Sequence, residues 1–227
     1  MVKGTDEYGE GMKINIVQNV LAYNKEHAKV NRDLFKENRV YVVNLLSSPG
    51  AGKTSLIIET IKKLKDRYSI GVIEGDIAST HDAEKIRRYT SQVVQINTGG
   101  SCHLNASMIN KAIEKLNLAK IDLLFIENVG NLICPVGFDL GEDSMAVISS
   151  VSEGDDKPVK YPKVFIKSDL ILLNKIDMLG LADFNKDFFT GKIRELNTRA
   201  EVFELSCIKG TGLSGWTDWI SAAADNK

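Results

Sequence analysis

The chain of 227 residues carries 29 Lys and Arg against 30 Asp and Glu, which gives a formal net charge of −1. This balance provides no overall attraction to nucleic acid or to an anionic membrane, so neither is expected as a partner. The three cysteines, Cys102, Cys134 and Cys207, do not form the even set of a disulfide framework, and no apolar run approaches the ~18 residues of a membrane span. We therefore expect a cytoplasmic protein.

The predicted elements alternate along most of the chain. Residues 13 to about 37 predict an amphipathic helix, with Ile14, Val17, Val20 and Leu21 at helical spacing. Strands are then predicted at 40–46, 70–73, 93–96, 122–126, 145–151, 170–173 and 202–205, and helices at 53–65, 82–89, 105–116 and 213–223. This order predicts an α/β fold, a mostly parallel sheet with helices on both faces. The sequence leaves open whether the first helix caps the sheet or extends as an arm.

A phosphate-binding loop is predicted at 47–54, SSPGAGKT, because the segment follows a strand and opens a helix. Two glycines let successive backbone N–H groups face one concavity, and the helix N-terminus adds positive potential. Lys53 is expected to neutralise the β and γ phosphates, and the Thr54 hydroxyl to bind Mg²⁺. Ser47 stands where the usual pattern has glycine. The predicted nucleotide-binding residues of this loop are Ser48, Pro49, Gly50, Ala51, Gly52, Lys53, Thr54 and Ser55.

Two acidic residues, Asp76 and Glu127, follow predicted strands and are expected at the same sheet edge as the phosphate loop. We predict that they hold Mg²⁺ together with Thr54, and that they support hydrolysis together with Lys53. Gly130 is expected to move when a γ-phosphate is present. The sequence shows no obvious catalytic base, so slow intrinsic hydrolysis is expected. The alternative is that both carboxylates are solvated loop residues.

Guanine selection is predicted from the NKxD sequence that follows the strand at 170–173. The Asp177 carboxylate is suited to accept hydrogen bonds from guanine N1–H and the 2-amino group, which adenine does not offer in that arrangement. Asn174 is expected to bond the other ring edge or tie the loops together, and the Lys175 stem to lie over the base. Backbone N–H groups at Ser206 and Cys207 are expected to bond the guanine carbonyl. These motifs predict a single P-loop GTPase domain at 39–227, preceded by a helical segment at 1–38.

A metal site is one interpretation of Cys102, His103 and Cys134, which all follow predicted strands near the nucleotide edge. Two thiolates and one imidazole suit Zn²⁺ or Ni²⁺. The other interpretation is two small buried residues and a helix-capping histidine. Three ligands also leave a tetrahedral site one short, so water or a symmetry-related copy would have to supply the fourth.

Five segments, SSPGAGKT, EGDIASTHDAEKIR, NTGGSCHLNASMI, FIENVGNLICP and NKID, appear in this order. Together they resemble the HypB family of hydrogenase-maturation GTPases, over roughly residues 40–210. The resemblance implies a GTPase that helps insert nickel into [NiFe]-hydrogenases, with the three Cys and His residues as a metal site at a GTP-favoured homodimer interface. It also implies a nickel-delivery accessory protein and the hydrogenase large-subunit precursor as partners.

Three alternatives remain at this stage. A urease-type nickel GTPase shares the phosphate loop and NKxD. A P-loop ATPase or small-molecule kinase would bind ATP and be indifferent to GTP. A metal-binding interaction protein with a vestigial nucleotide pocket would bind metal regardless of Lys53. The sequence does not distinguish nickel from zinc as the bound ion.

Overall fold

The computed structural model describes residues 16–77 and 79–227, so the predicted helix start at residue 13, Ile14 and the side chain of Val17 lie outside the described residues. The strands are β1 Tyr41–Ser47, β2 Ile70–Asp76, β3 Val93–Asn97, β4 Leu123–Glu127, β5 Ser144–Ser150, β6 Leu170–Asn174 and β7 Glu201–Glu204. The α-helices are α1 Ile16–Glu37, α2 Lys53–Leu64, α3 His81–Ile86, α4 Ala106–Ile113, α5 Lys157–Lys160, α6 Pro162–Lys167, α7 Lys186–Leu196 and α8 Leu213–Asp225.

The seven strands form one sheet in the order β3-β2-β4-β1-β5-β6-β7. Every pairing in this described sheet is parallel. Strands β2, β3 and β4 lie on one side of β1, with β4 next to it, and β5, β6 and β7 follow on the other side, so the direction of the chain reverses beside β1. The carboxyl ends of all seven strands therefore meet at one edge, which is where ligands bind in open α/β sheets.

Apolar side chains on both sheet faces are covered by helices, as the alternating pattern predicted. The core beneath α2 and α8 contains Phe125 and Trp216, both fully buried. The Trp216 indole donates a hydrogen bond to the Thr60 hydroxyl of α2, at 2.8 Å. On the other face, α1 and α4 cover a second core around Phe35, and α6 and α7 cover a third around Phe165.

Helix α1 packs with α4 on one face of the sheet. It therefore caps the domain and does not extend as an arm. Two buried asparagines two turns apart make the attachment. The Asn24 amide donates to Asp139 O at 2.8 Å, and its carbonyl accepts from Ala106 N at 2.8 Å. The Asn31 amide donates to Ala106 O at 2.9 Å and to Leu140 O at 3.0 Å. Helix α1 is therefore joined to the start of α4 and to the segment before β5.

The predicted strands match the observed strands closely, and the differences are the end of β2 and three helices. Strand β2 continues to Asp76 rather than ending at Ile73, because Glu74 is buried within the sheet despite its charge. The helices α5, α6 and α7 were not predicted, since short helices with mixed polarity give little periodicity. Within the described residues, no helix is long and apolar enough to cross a membrane.

Candidate functional site

The phosphate loop connects β1 to α2 at the carboxyl edge of the sheet. Gly50 and Gly52 have φ values of 81° and 104°, in the left-handed region that favours glycine. A side chain at Gly52 would also collide with Asn174, whose amide donates to Ala51 O at 2.9 Å. Helix α2 begins at Lys53, so its free N–H groups face the concavity of the loop. The loop therefore has the backbone that an anionic phosphate requires.

Lys53 is buried at the base of this loop, with 8% of its surface exposed. Its ammonium donates to the Ser47 hydroxyl at 2.9 Å, so Ser47 has a structural role at the position where glycine was expected. Burial lowers the pKa of Lys53, and the neighbouring Glu127 opposes this effect. A bound phosphate would supply the counter-charge that the buried cation needs.

Carboxylates gather beside Lys53 on the α2 face of the sheet. Glu127 accepts a hydrogen bond from the Thr54 hydroxyl at 2.8 Å, and Glu74 lies beside Glu127 in the β2–β4 register. Both glutamates are buried, and each has one carboxylate oxygen without a hydrogen-bond partner. Burial raises the pKa of Glu127 to about 7 and that of Glu74 to about 8. Asp76 lines the same pocket.

Hydroxyl and carboxylate oxygens are the ligands that Mg²⁺ prefers, so Thr54, Glu127 and Asp76 fit the ion that was predicted for this pocket. The unpaired oxygens of two buried carboxyls support that fit, since unsatisfied buried acceptors are costly. Glu74 was not among the predicted site residues. Its position two residues before Asp76, on the same strand face, was the signal that could have found it.

The residues predicted to select the base meet at the ends of β6 and β7. Asp177 accepts a hydrogen bond from the Ser206 hydroxyl, and Cys207 N donates to the Asn174 side-chain carbonyl at 3.4 Å. Lys175 adopts a left-handed backbone with φ 61°, and its ammonium donates to Gly50 O at 2.7 Å. The segment that carries Asp177 is thereby tied to the phosphate loop. Burial raises the pKa of the Cys207 thiol to about 11, so this cysteine stays neutral.

The metal-ligand candidates Cys102, His103 and Cys134 also converge. Their ligand atoms all lie within 4.8 Å of one another, and all three side chains are half-buried. The imidazole stacks on Phe138, with ring centroids 4.0 Å apart and an interplanar angle of 28°. Burial lowers the pKa of His103, which favours the neutral imidazole that metals bind. The Asn131 carbonyl accepts from the Cys134 N–H at 3.2 Å and holds that turn.

Comparisons with known proteins point in one direction. Residues 41–204 match the CobW/HypB/UreG nucleotide-binding domain family. The chain is 45% identical over 211 residues to the hydrogenase maturation factor HypB of Rhizobium leguminosarum bv. viciae, covering 93% of this chain and 71% of that one.

Two crystal structures of similar proteins share the fold. HypB from Helicobacter pylori in complex with nickel has a TM-score of 0.85 and 35% identity, covering 90% of this chain and 96% of that one. HypB from Archaeoglobus fulgidus has a TM-score of 0.84 and 38% identity, covering 89% and 99%. These findings confirm the predicted fold and the resemblance drawn from the motifs. The chain belongs to the CobW/HypB/UreG family and, within it, to the HypB hydrogenase maturation factors.

Proposed function

We propose that this protein binds and hydrolyses GTP and uses the nucleotide to control a transition-metal cargo, assisting nickel insertion into [NiFe]-hydrogenase. The observation that carries the proposal is the shared sheet edge. The Thr54–Glu127 pair of the phosphate pocket and the cluster of Cys102, His103 and Cys134 both follow strand carboxyl ends there. Since Glu127 ends β4 and Cys134 lies on the short connection that follows it, a change at the phosphates can reach the metal ligands directly.

In this proposal each residue of the phosphate pocket binds the phosphates or Mg²⁺. Backbone N–H groups from Ser48 to Ser55 hold the phosphates, and Lys53 neutralises the β and γ groups. Thr54, Asp76 and Glu127 hold Mg²⁺, which neutralises developing charge on the phosphates when bound. The cations among the described lining residues of this pocket are Lys53 and Lys85, with no arginine. We expect slow intrinsic hydrolysis, because an arginine often supplies much of the transition-state charge.

The residues that contact the base select GTP over ATP in this proposal. Asp177 accepts from guanine N1–H and the 2-amino group, while Asn174 and Lys175 hold the surrounding loops. Ser206 orients Asp177 through its hydroxyl, and backbone N–H groups at Ser206 and Cys207 face the guanine carbonyl. An adenine in this position would leave the Asp177 carboxylate without its donors.

The cluster of Cys102, His103 and Cys134 has two thiols and one imidazole, which suit Ni²⁺ as cargo or Zn²⁺. Three protein ligands leave one position of a tetrahedral ion for water or for a second copy of the chain. Beside Cys134, the Ile133 side chain is 69% exposed. We propose that GTP favours a homodimer through this face, and that hydrolysis releases metal toward an accessory protein or the hydrogenase precursor.

Direct binding and turnover measurements test this proposal. Purified protein should bind GTP in preference to ATP, hydrolyse it with Mg²⁺, and lose both properties in Lys53→Ala. Ni²⁺ titration against a chromophoric chelator should show a site that Cys134→Ser removes.

The third cysteine provides the matched control. Cys207→Ser should retain the Ni²⁺ site, because Cys207 lies outside the metal cluster. Equal affinity for ATP and GTP would contradict the nucleotide assignment. Unchanged Ni²⁺ affinity in Cys134→Ser would contradict the metal assignment.

A further inference from the structure

Asn128 is a buried asparagine that neither the phosphate pocket nor the metal cluster requires for its own chemistry. It directly follows Glu127 and is 1% exposed. Its side-chain carbonyl accepts two backbone N–H groups, from Leu104 at 3.1 Å and from Val129 at 3.0 Å. Its side-chain amide donates to the Asn44 side-chain carbonyl at 3.2 Å. One side chain thus joins three separate segments of the sheet edge.

The residues around Asn128 adjoin proposed site residues in the chain. Leu104 immediately follows His103, and Val129 begins the connection that leads to Cys134. Asn128 itself is bonded through the chain to Glu127, which accepts from the Thr54 hydroxyl. The Asn128 carbonyl is therefore positioned between the magnesium ligands and both halves of the metal cluster.

The hydrogen bonds continue beyond Asn128 and couple it to the segment before β5. Asn44 is fully buried in β1 and donates to Glu142 Oε1 at 3.0 Å, while Glu142 Oε2 accepts from Leu140 N at 2.7 Å. Leu140 lies close after Phe138, which stacks on His103. Because breaking a buried polar bond is costly, we expect these groups to move together.

The phosphate loop also contacts the connection that follows β4. A Cβ at Gly130 would lie 2.9 Å from Pro49 Cγ and 3.0 Å from Pro49 N, so these backbones are in close contact. A γ-phosphate that shifts either backbone must shift Val129, and Val129 N is bonded to Asn128.

We propose that Asn128 is the positioning residue that transmits the nucleotide state to the metal cluster. The inference rests on the proposed function and adds the route. Movement of Val129 and Glu127 with the γ-phosphate turns the Asn128 carbonyl. The bonded Leu104 N–H follows, and His103 changes its distance from Cys134.

The test measures Ni²⁺ affinity of the full chain with GDP and with a non-hydrolysable GTP analogue, and takes the ratio. In the wild type we expect a ratio of about 5- to 150-fold, the usual range for coupled sites. In Asn128→Ala we expect the ratio to fall to within about twofold of one. Asn197→Ala is the matched control, because Asn197 also bridges backbone groups, accepting from Arg199 N and Ala200 N at 3.1 Å, at a distant turn. It should keep the wild-type ratio.

The outcomes separate the inference from the function on which it rests. A wild-type ratio of one would show that metal affinity does not depend on the nucleotide. It would overturn the proposed function, in which the nucleotide regulates metal binding. A nucleotide-dependent wild type whose ratio survives in Asn128→Ala would overturn the inference alone.

A second measurement needs no variant and so does not depend on whether Asn128→Ala folds. Hydrogen exchange of the Leu104 amide in the wild type should differ between the GDP and GTP-analogue forms. Equal protection in both forms would overturn the role of Asn128.

Discussion

Asp177 accepts a hydrogen bond from the Ser206 hydroxyl, and we propose that it selects the base. In Asp177→Asn, the side-chain carbonyl can still accept from guanine N1–H, but an amide donor replaces the oxygen that accepts from the 2-amino group. Charged hydrogen bonds contribute about 1.5–3 kcal/mol each, so we expect GTP affinity to fall by at least tenfold. Xanthine presents a carbonyl at the 2-position, so XTP should bind the variant more tightly than GTP. Titration with fluorescent nucleotides measures both, and an unchanged GTP affinity would remove Asp177 from the base site.

We expect Glu74 to make the stability of the nucleotide-free protein depend on pH. Burial raises its pKa from 4.5 to about 8, so the folded chain retains a proton that the unfolded chain releases. Between these values the free energy of unfolding therefore decreases as pH rises, by up to about 1.4 kcal/mol per pH unit. Glu74→Gln removes this group and should make the slope shallower between about pH 5.5 and 7.5, and the raised pKa of Glu127 contributes the slope that remains.

Urea unfolding across that pH range measures the slope. Glu201→Gln on the exposed face of the edge strand β7 is the control and should keep the wild-type slope. If Glu74→Gln unfolds with the wild-type pH dependence, Glu74 does not carry the retained proton.

At the level of single residues, the sequence predicts charged and glycine motifs better than buried amides. Lys53, Thr54 and Asp177 belong to ordered patterns whose chemistry is specific, and the structure brings them to one edge. Asn44 and Asn128 lie in stretches that suggest a plain buried strand and a polar loop. Their bonds join residues far apart in the chain, so no local pattern encodes them.

The connection after β4 and the phosphate loop are two elements that pack backbone against backbone. Gly130→Ala places a methyl group 2.9 Å from Pro49 Cγ, and overpacking of this kind costs about 1–3 kcal/mol. We expect the phosphate loop to shift and GTP affinity to fall about tenfold. Isothermal titration measures the change.

Gly137→Ala is the matched control, because a Cβ there meets no atom within 4 Å. It should bind GTP like the wild type. Wild-type GTP affinity in Gly130→Ala would show that the two elements tolerate separation without loss of binding.

Among the elements, the apolar strands were predictable because each forms a short hydrophobic run bounded by polar residues. The capping position of α1 was not, since Asn24 and Asn31 resemble solvent-facing helix positions in the sequence. Their partners are backbone groups near Ala106 and Leu140, which only the folded chain brings to the helix. Helix α7 was also missed, because Gly191 and its many charged residues weaken the helical pattern.

For the whole molecule, the proposed GTP-dependent dimer places the metal face of two copies together. Ile133 is 69% exposed beside Cys134, so Ile133→Asp would put two charges at the centre of that interface. We expect sedimentation with a GTP analogue to show dimer for the wild type and monomer for Ile133→Asp. Val159→Asp is the control, since Val159 is 54% exposed on α5 and should leave dimerisation unchanged. A dimeric Ile133→Asp would place the interface elsewhere.

The buried pairing of Trp216 with Thr60 gives the protein an intrinsic fluorescent reporter. Thr60 lies on α2, about 9 Å along the helix axis from Thr54 of the predicted phosphate loop. The indole emission depends on its hydrogen bond at 2.8 Å, so a small displacement of α2 changes the emission wavelength. The second tryptophan, Trp219, is only half-buried, and Trp219→Phe would isolate the Trp216 signal. Nucleotide arrival can then be followed in real time in an unlabelled protein, with intact metal ligands.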